Sequence, residues 1–239
     1  MLHNYHTHTF RNHHTIGTER EYIESAIKNG FRTLGFSEHA PYRFPDGYIS
    51  YFHMFPEDLE NYIQTLLALK AEYAGRIEIL IGYEAEFYPR FFDDFLRRIT
   101  QYPVDYLLLG QHYIHNEIDG AYVYEPTDDP KILKAYVDQC IAGLDTGLYT
   151  YLAHPDLINF TGAETLYRKW RSPARKGPAG WYRCARPKLL LSAGLVCAVS
   201  STSFGMRACH NRQYHAPPRP QIIVSIGIYF VSVQKLEKI

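Results

Sequence analysis

Residues 77–84 read IEILIGYE. Four of the first five side chains are apolar and three of them are isoleucine, a run too short for a helix and β-branched enough for a buried strand. Gly82 breaks the run, and Glu84 stands at its end. Outward from this strand the same unit recurs. Before it, Pro56 opens a helix with Leu59, Tyr62, Ile63, Leu66, Leu67 and Leu69 on its apolar face, stopping at Gly75. Earlier still lies a strand at 33–37 (TLGFS), preceded by a helix that starts with the capping box Thr18-Glu19-Arg20-Glu21. Tyr22, Ile23, Ala26 and Ile27 form that helix's apolar face, and Gly30 is its left-handed stop. A first strand covers 2–5. Beyond Glu84 come a helix at 91–99, a strand at 106–109 (YLLL), a helix at 130–144 with Gly147 past its end, and a strand at 150–153 (TYLA). Apolar strands alternating with amphipathic helices form a parallel sheet covered by helices. The strands carry neither GxGxxG nor GxxxxGK[ST], so a nucleotide-binding sheet has no support. The predicted fold class is α/β, a barrel with its site at the C-terminal strand ends.

The chain has 239 residues, 46% of them hydrophobic, enough for one large domain. Its formal net charge of zero conceals a break at Lys169. Residues 1–169 carry 24 acidic and 14 basic side chains, whereas 170–239 carry 11 basic and one acidic, Glu237. Both Trp, three of the four Cys and six of the 14 Pro also follow Lys169, which divides the chain into a domain at 1–169 and an atypical basic tail at 170–239. The tail can be read as a disordered Pro-rich linker, as a small domain with a basic surface, or as translation in a shifted reading frame. Its apolar runs KLLLSAGLVCAV and IIVSIGIYFVSV have no helical or strand period, which favours the third reading. The acidic first segment argues against a nucleic-acid partner. No apolar stretch is long enough to span a bilayer, so no membrane partner is expected either. The first ten residues lack the basic head and apolar run of a signal peptide, and the Cys show no Cys-x-x-Cys spacing, so a reducing cytoplasm is the expected location. Nothing specifies an oligomeric state.

Each predicted strand ends in a side chain that binds metals. His6 and His8 follow the first, His39 the second, Glu84 the third, His112 the fourth and His154 the fifth. Residues two apart on a strand share a face, so the rings of His6 and His8 point the same way. Parallel, adjacent strands would bring all of these side chains to one face. Imidazole and carboxylate suit zinc, manganese and iron. More ligands than one tetrahedral ion takes, with a carboxylate able to bridge, imply a cluster of two or three divalent metal ions. His13 and His14 lie just beyond the first pair, with nothing local to choose between them. His3, His53 and His115 read as turn or surface residues, and Glu86 as a solvated charge.

The pieces HTHTFRNHH (6–14), SEHAP (37–41), GYEAEF (82–87), GQHYI (110–114) and YLAHPD (151–156) resemble the polymerase-and-histidinol-phosphatase (PHP) superfamily, in particular its histidinol-phosphatase branch. The resemblance covers about residues 1–169. It implies a distorted (β/α)7 PHP-type barrel, here incomplete after the fifth strand, with a trinuclear metal centre. Carried over by motif, His6, His8, His14, His39, Glu84, His112 and His154 would be metal ligands; the position eight residues after the first histidine favours His14 over His13. No catalytic residue beyond the metal ligands is implied. Arg11 and Arg43, near the ligand motifs, are candidates to bind a substrate phosphate. The implied substrate is small and phosphorylated: L-histidinol phosphate, hydrolysed to L-histidinol and phosphate in histidine biosynthesis. The family's last strand ends in an Asp-x-His pair, and none follows Lys169. Two alternatives therefore stand beside that reading: a phosphoesterase for another substrate, and an inactive remnant that binds metal without turnover.

Overall fold

Thr18 and Glu21 make the predicted capping box. The Thr18 hydroxyl accepts the Glu21 N–H, and the Glu21 carboxylate accepts the Thr18 N–H at 2.7 Å. Helix α1 (Glu19–Lys28) follows, and Gly30, at φ 77°, turns the chain out of it. The computed structural model describes residues 2–169. Within them α2 (Leu59–Glu72), α3 (Phe92–Ile99) and α4 (Pro130–Asp145) alternate with five strands, as the sequence predicts.

The strands are β1 (Leu2–Asn4), β2 (Phe31–His39), β3 (Glu78–Ala85), β4 (Tyr106–Leu109) and β5 (Tyr151–Leu152). They pair in chain order and every pair is parallel, so the sheet curls as half of a barrel. β2 and β3 run further than predicted, because each has a partner on both sides and its hydrogen-bond ladder continues. In consequence His39 and Glu84 are paired residues of adjacent strands instead of loop residues. The expectations placed on residues 170–239 lie outside the described residues. No helix among the described residues is long and apolar enough to cross a membrane.

Period-two alternation divides the two faces. Ile79, Ile81 and Tyr83 join Phe36, Ile63 and Phe95 in the core between sheet and helices. Tyr5, Leu80, Tyr106 and Leu108 form a smaller cluster of their own. There Tyr106 lies across Gly35 and Gly82, where a Cβ on Gly82 would stand 2.6 Å from its ring. The Tyr106 hydroxyl donates to the carbonyls of Tyr5 (2.7 Å) and Phe36 (3.0 Å), so the barrel interior is filled by an aromatic ring whose polar tip is satisfied. Leu80, Gly82 and Glu84 share the same side of β3, so the face that is packed with rings at one level carries the carboxylate at the next.

Candidate metal centre

Glu84 is the focus. Its Oε2 lies 2.9 Å from Nε2 of His6, 3.0 Å from Nε2 of His8 and 3.6 Å from Nδ1 of His39. Its Oε1 lies 2.6 Å from Nε2 of His154 and 3.5 Å from Nε2 of His112. Imidazoles from four other strand ends thus face one buried carboxylate, as the strand-end pattern anticipated. His154 reaches it from a left-handed backbone, φ 34°, an uncommon conformation outside glycine that recurs at functional sites. The His14 ring stands 5.3 Å from that of His39 and 6.2 Å from that of His8. Its Nδ1 bonds the Asn12 carbonyl at 2.8 Å, which leaves Nε2 free. His13 turns away to pack on Phe55 at 4.2 Å.

The donor set fits divalent ions. Nε2 of His6 and His8 are 3.0 Å apart, and both are within 3.0 Å of one Glu84 oxygen. Nitrogens about 2.0–2.1 Å from a shared tetrahedral zinc stand roughly this far apart. Nδ1 of His39 is buried without a hydrogen-bond partner and faces Glu84. Three groups hold ligand atoms within 4.8 Å of one another: His6, Glu84 and His154; His8, His39 and Glu84; His39, Glu86 and His112. His14 is in none of them.

Several residues read differently in the structure than in the sequence. Glu86 is fully buried, not solvated, and His53 is 1% exposed, not a surface residue. The signal for Glu86 was present: it stands two residues after Glu84, the same spacing that aligned His6 with His8. His53 lies on an irregular loop, where no period applies. Arg11 is not available to a substrate. Its Nε pairs with Glu19, and its terminal nitrogens donate to Asn61 (2.9 Å) and Thr65 (3.3 Å), so its buried guanidinium joins α1 to α2. Arg43 is exposed on the loop after β2, close enough to influence Arg98 of α3. Phe52, from the same loop, packs against His39 (4.4 Å), His112 (5.0 Å) and His14 (5.3 Å) and covers one side of the cluster.

Burial acts against charge on His8, His14 and His39. It lowers His8 to about 4, although the Glu84 carboxylate pulls the other way. It lowers His39 well below its usual value for the same reason. Burial alone would raise Glu84, but His6, His154, His39 and His112 hold it well below the usual carboxylate range. These folded-state values lie below the unfolded ones, so the native state binds fewer protons and loses stability as pH falls. The metal-free chain should therefore weaken between about pH 6.5 and 4, because the losses at His8, on the order of 3 kcal/mol, and at His39 together exceed the opposite contribution of Glu38, which burial pushes up to about 8. Melting temperatures measured in chelator across that window test this; a flat profile would contradict it.

A carboxylate ringed by imidazoles at the carboxyl ends of parallel β/α strands is a donor set suited to divalent metal ions. The sequence pattern of the PHP domain matches residues 4–176, and the chain belongs to that family. The probable histidinol-phosphatase of Deinococcus radiodurans is 29% identical over 230 residues, which span 95% of this chain and 82% of the relative. The histidinol-phosphatase of Bacillus subtilis is 33% identical over 126 residues, 49% of this chain and 46% of that one. The crystal structure of histidinol phosphate phosphatase from Lactococcus lactis, complexed with zinc, L-histidinol and phosphate, aligns with a TM-score of 0.56. That alignment is 22% identical and covers 71% of this chain and 66% of the other, a likeness of fold.

Proposed function

We propose that this chain hydrolyses a small phosphomonoester, L-histidinol phosphate in the first instance, to L-histidinol and phosphate. The buried Glu84 carboxylate at the meeting point of five imidazoles carries the reading. His6, His8, His14, His39, Glu84, His112 and His154 would hold two or three divalent ions, zinc, manganese or iron. When bound, such ions supply charge neutralisation at the phosphoryl oxygens and activation of water at neutral pH. The chain's own part is to keep Glu84 ionised and the cluster partly shielded from solvent. Phe52 provides that shielding on one side, and Arg43, exposed on the loop after β2, is retained as a candidate phosphate contact. The branch of the family is supported by the names of the relatives and by the ligands of the Lactococcus structure.

Phosphate release from L-histidinol phosphate, set against a panel of nucleotides and sugar phosphates, tests the substrate. Histidinol phosphate should have the highest kcat/KM. Faster turnover of a nucleotide would reassign the substrate class. A second reading, metal binding without turnover, is favoured by the lack of any Asp after Lys169.

A further inference from the structure

Behind His112 lies a second layer of buried polar groups that the proposed chemistry does not use. Glu86 Oε1 accepts the Nδ1–H of His112 at 2.7 Å. That bond fixes the tautomer, so the lone pair sits on Nε2, the nitrogen facing Glu84 Oε1 at 3.5 Å. The same Glu86 oxygen lies 3.3 Å from Nε2 of His53, whose Nδ1–H donates to the Ala40 carbonyl at 2.6 Å. Nε2 of His53 is also 3.4 Å from Glu117 Oε2. Glu117 Oε1 in turn accepts from Ser50 Oγ at 2.6 Å. The network thus joins the loop after β2 to the loop after β4. Burying a carboxylate is costly unless it is paired, and two imidazoles meet Glu86 at its Oε1 while its Oε2 is buried without a hydrogen-bond partner. The oxygen that Glu86 gives to His112 is not aimed at Glu84, because it touches the His112 nitrogen that faces away from that carboxylate.

We propose that Glu86, itself held by His53, is a positioning residue for His112: it sets the tautomer and the direction of Nε2 towards the metal centre. The proposal rests on the metal reading above. Carboxylates behind ligating histidines change metal affinity or activity about 10–100-fold when removed.

The test is titration of cobalt(II) into the metal-free full-length chain, read by calorimetry and by the visible absorption of the bound ion. His112→Ala serves as the benchmark. Glu86→Ala should weaken cobalt binding about 10–100-fold and alter the spectrum. Glu86→Gln, whose amide oxygen can still accept the Nδ1–H, should recover most of the affinity. His53→Ala should shift affinity in the same direction by a smaller factor, and it carries the test if Glu86→Ala fails to fold by circular dichroism. Wild-type affinity and spectrum in Glu86→Ala, or equal losses in the Ala and Gln variants, would overturn the positioning role while His112→Ala still loses an ion. Unchanged cobalt affinity and stoichiometry in His112→Ala would remove His112 from the centre and overturn the positioning role with it, whereas a wild-type chain that takes up no cobalt would overturn the metal reading itself.

Discussion

Glu84→Gln should strip the protein of metal on dialysis and cut phosphate release by more than about 100-fold, beyond the range seen when only the outer partners of metal ligands are removed. The substitution keeps the shape and removes the charge. In the wild type both carboxylate oxygens are engaged by imidazoles at 2.6–3.0 Å, so each oxygen is already directed at donors that would share a cation with it. An amide offers one oxygen and places an NH2 among ring nitrogens whose lone pairs the cation needs. Elemental analysis of the dialysed variant, beside phosphate release and circular dichroism, decides the matter. A folded variant with wild-type metal content and a rate within twofold of wild type would remove Glu84 from the centre of the site.

Gly110→Ala should be nearly as damaging, although it adds a single methyl group. A Cβ at this position would overlap Oε1 of Glu84, and its other close neighbours are Cδ and Cγ of the same side chain. Side-chain ends ordinarily move aside, but this one is held by His154 on one oxygen and by His6 and His8 on the other. The methyl group must displace the carboxylate or the strand end. Gly82→Ala is the control, because its Cβ would meet the ring of Tyr106 and not a ligand. Overpacking of either kind costs about 1–3 kcal/mol. Gly82→Ala should therefore lower the melting temperature and leave zinc affinity within a few-fold, whereas Gly110→Ala should weaken zinc at least about tenfold, as loss of a supporting partner does. Equal zinc affinities in the two variants would mean that Gly110 has no special relation to the carboxylate.

Much of this arrangement could be read in the chain before any coordinates. The isoleucines of 77–81 and the leucines of 106–109 mark strands because a parallel sheet covered by helices buries both of its faces. Thr18 and Glu21 mark a helix start because a capping box is local chemistry. The meeting of the strand-end histidines around Glu84 followed from the same pattern. What failed were groups whose burial depends on contacts distant in sequence. His53 is buried because a loop folds back over β2, bringing the Met54 N–H to the His39 carbonyl at 3.3 Å, and no local signal encodes that return. Arg11 looked free beside the histidines, but its partners lie 8, 50 and 54 residues away. Glu86 could have been recovered by applying the two-residue period once more.

The in-register pairing of His39 with Glu84 bears on which length changes the chain can tolerate. Insertion or deletion of one residue within β3 would exchange the two faces of the strand from that point on. Tyr83, which packs against Tyr62 and Phe95 beneath the helices, would be driven into the ring of imidazoles, and Glu84 into the apolar layer. The irregular stretch between β4 and α4 has no such parity to keep. Variation in length among related chains should therefore gather in that connection and stay out of 78–85, so an alignment that opens a gap inside β3 is an alignment to be redrawn.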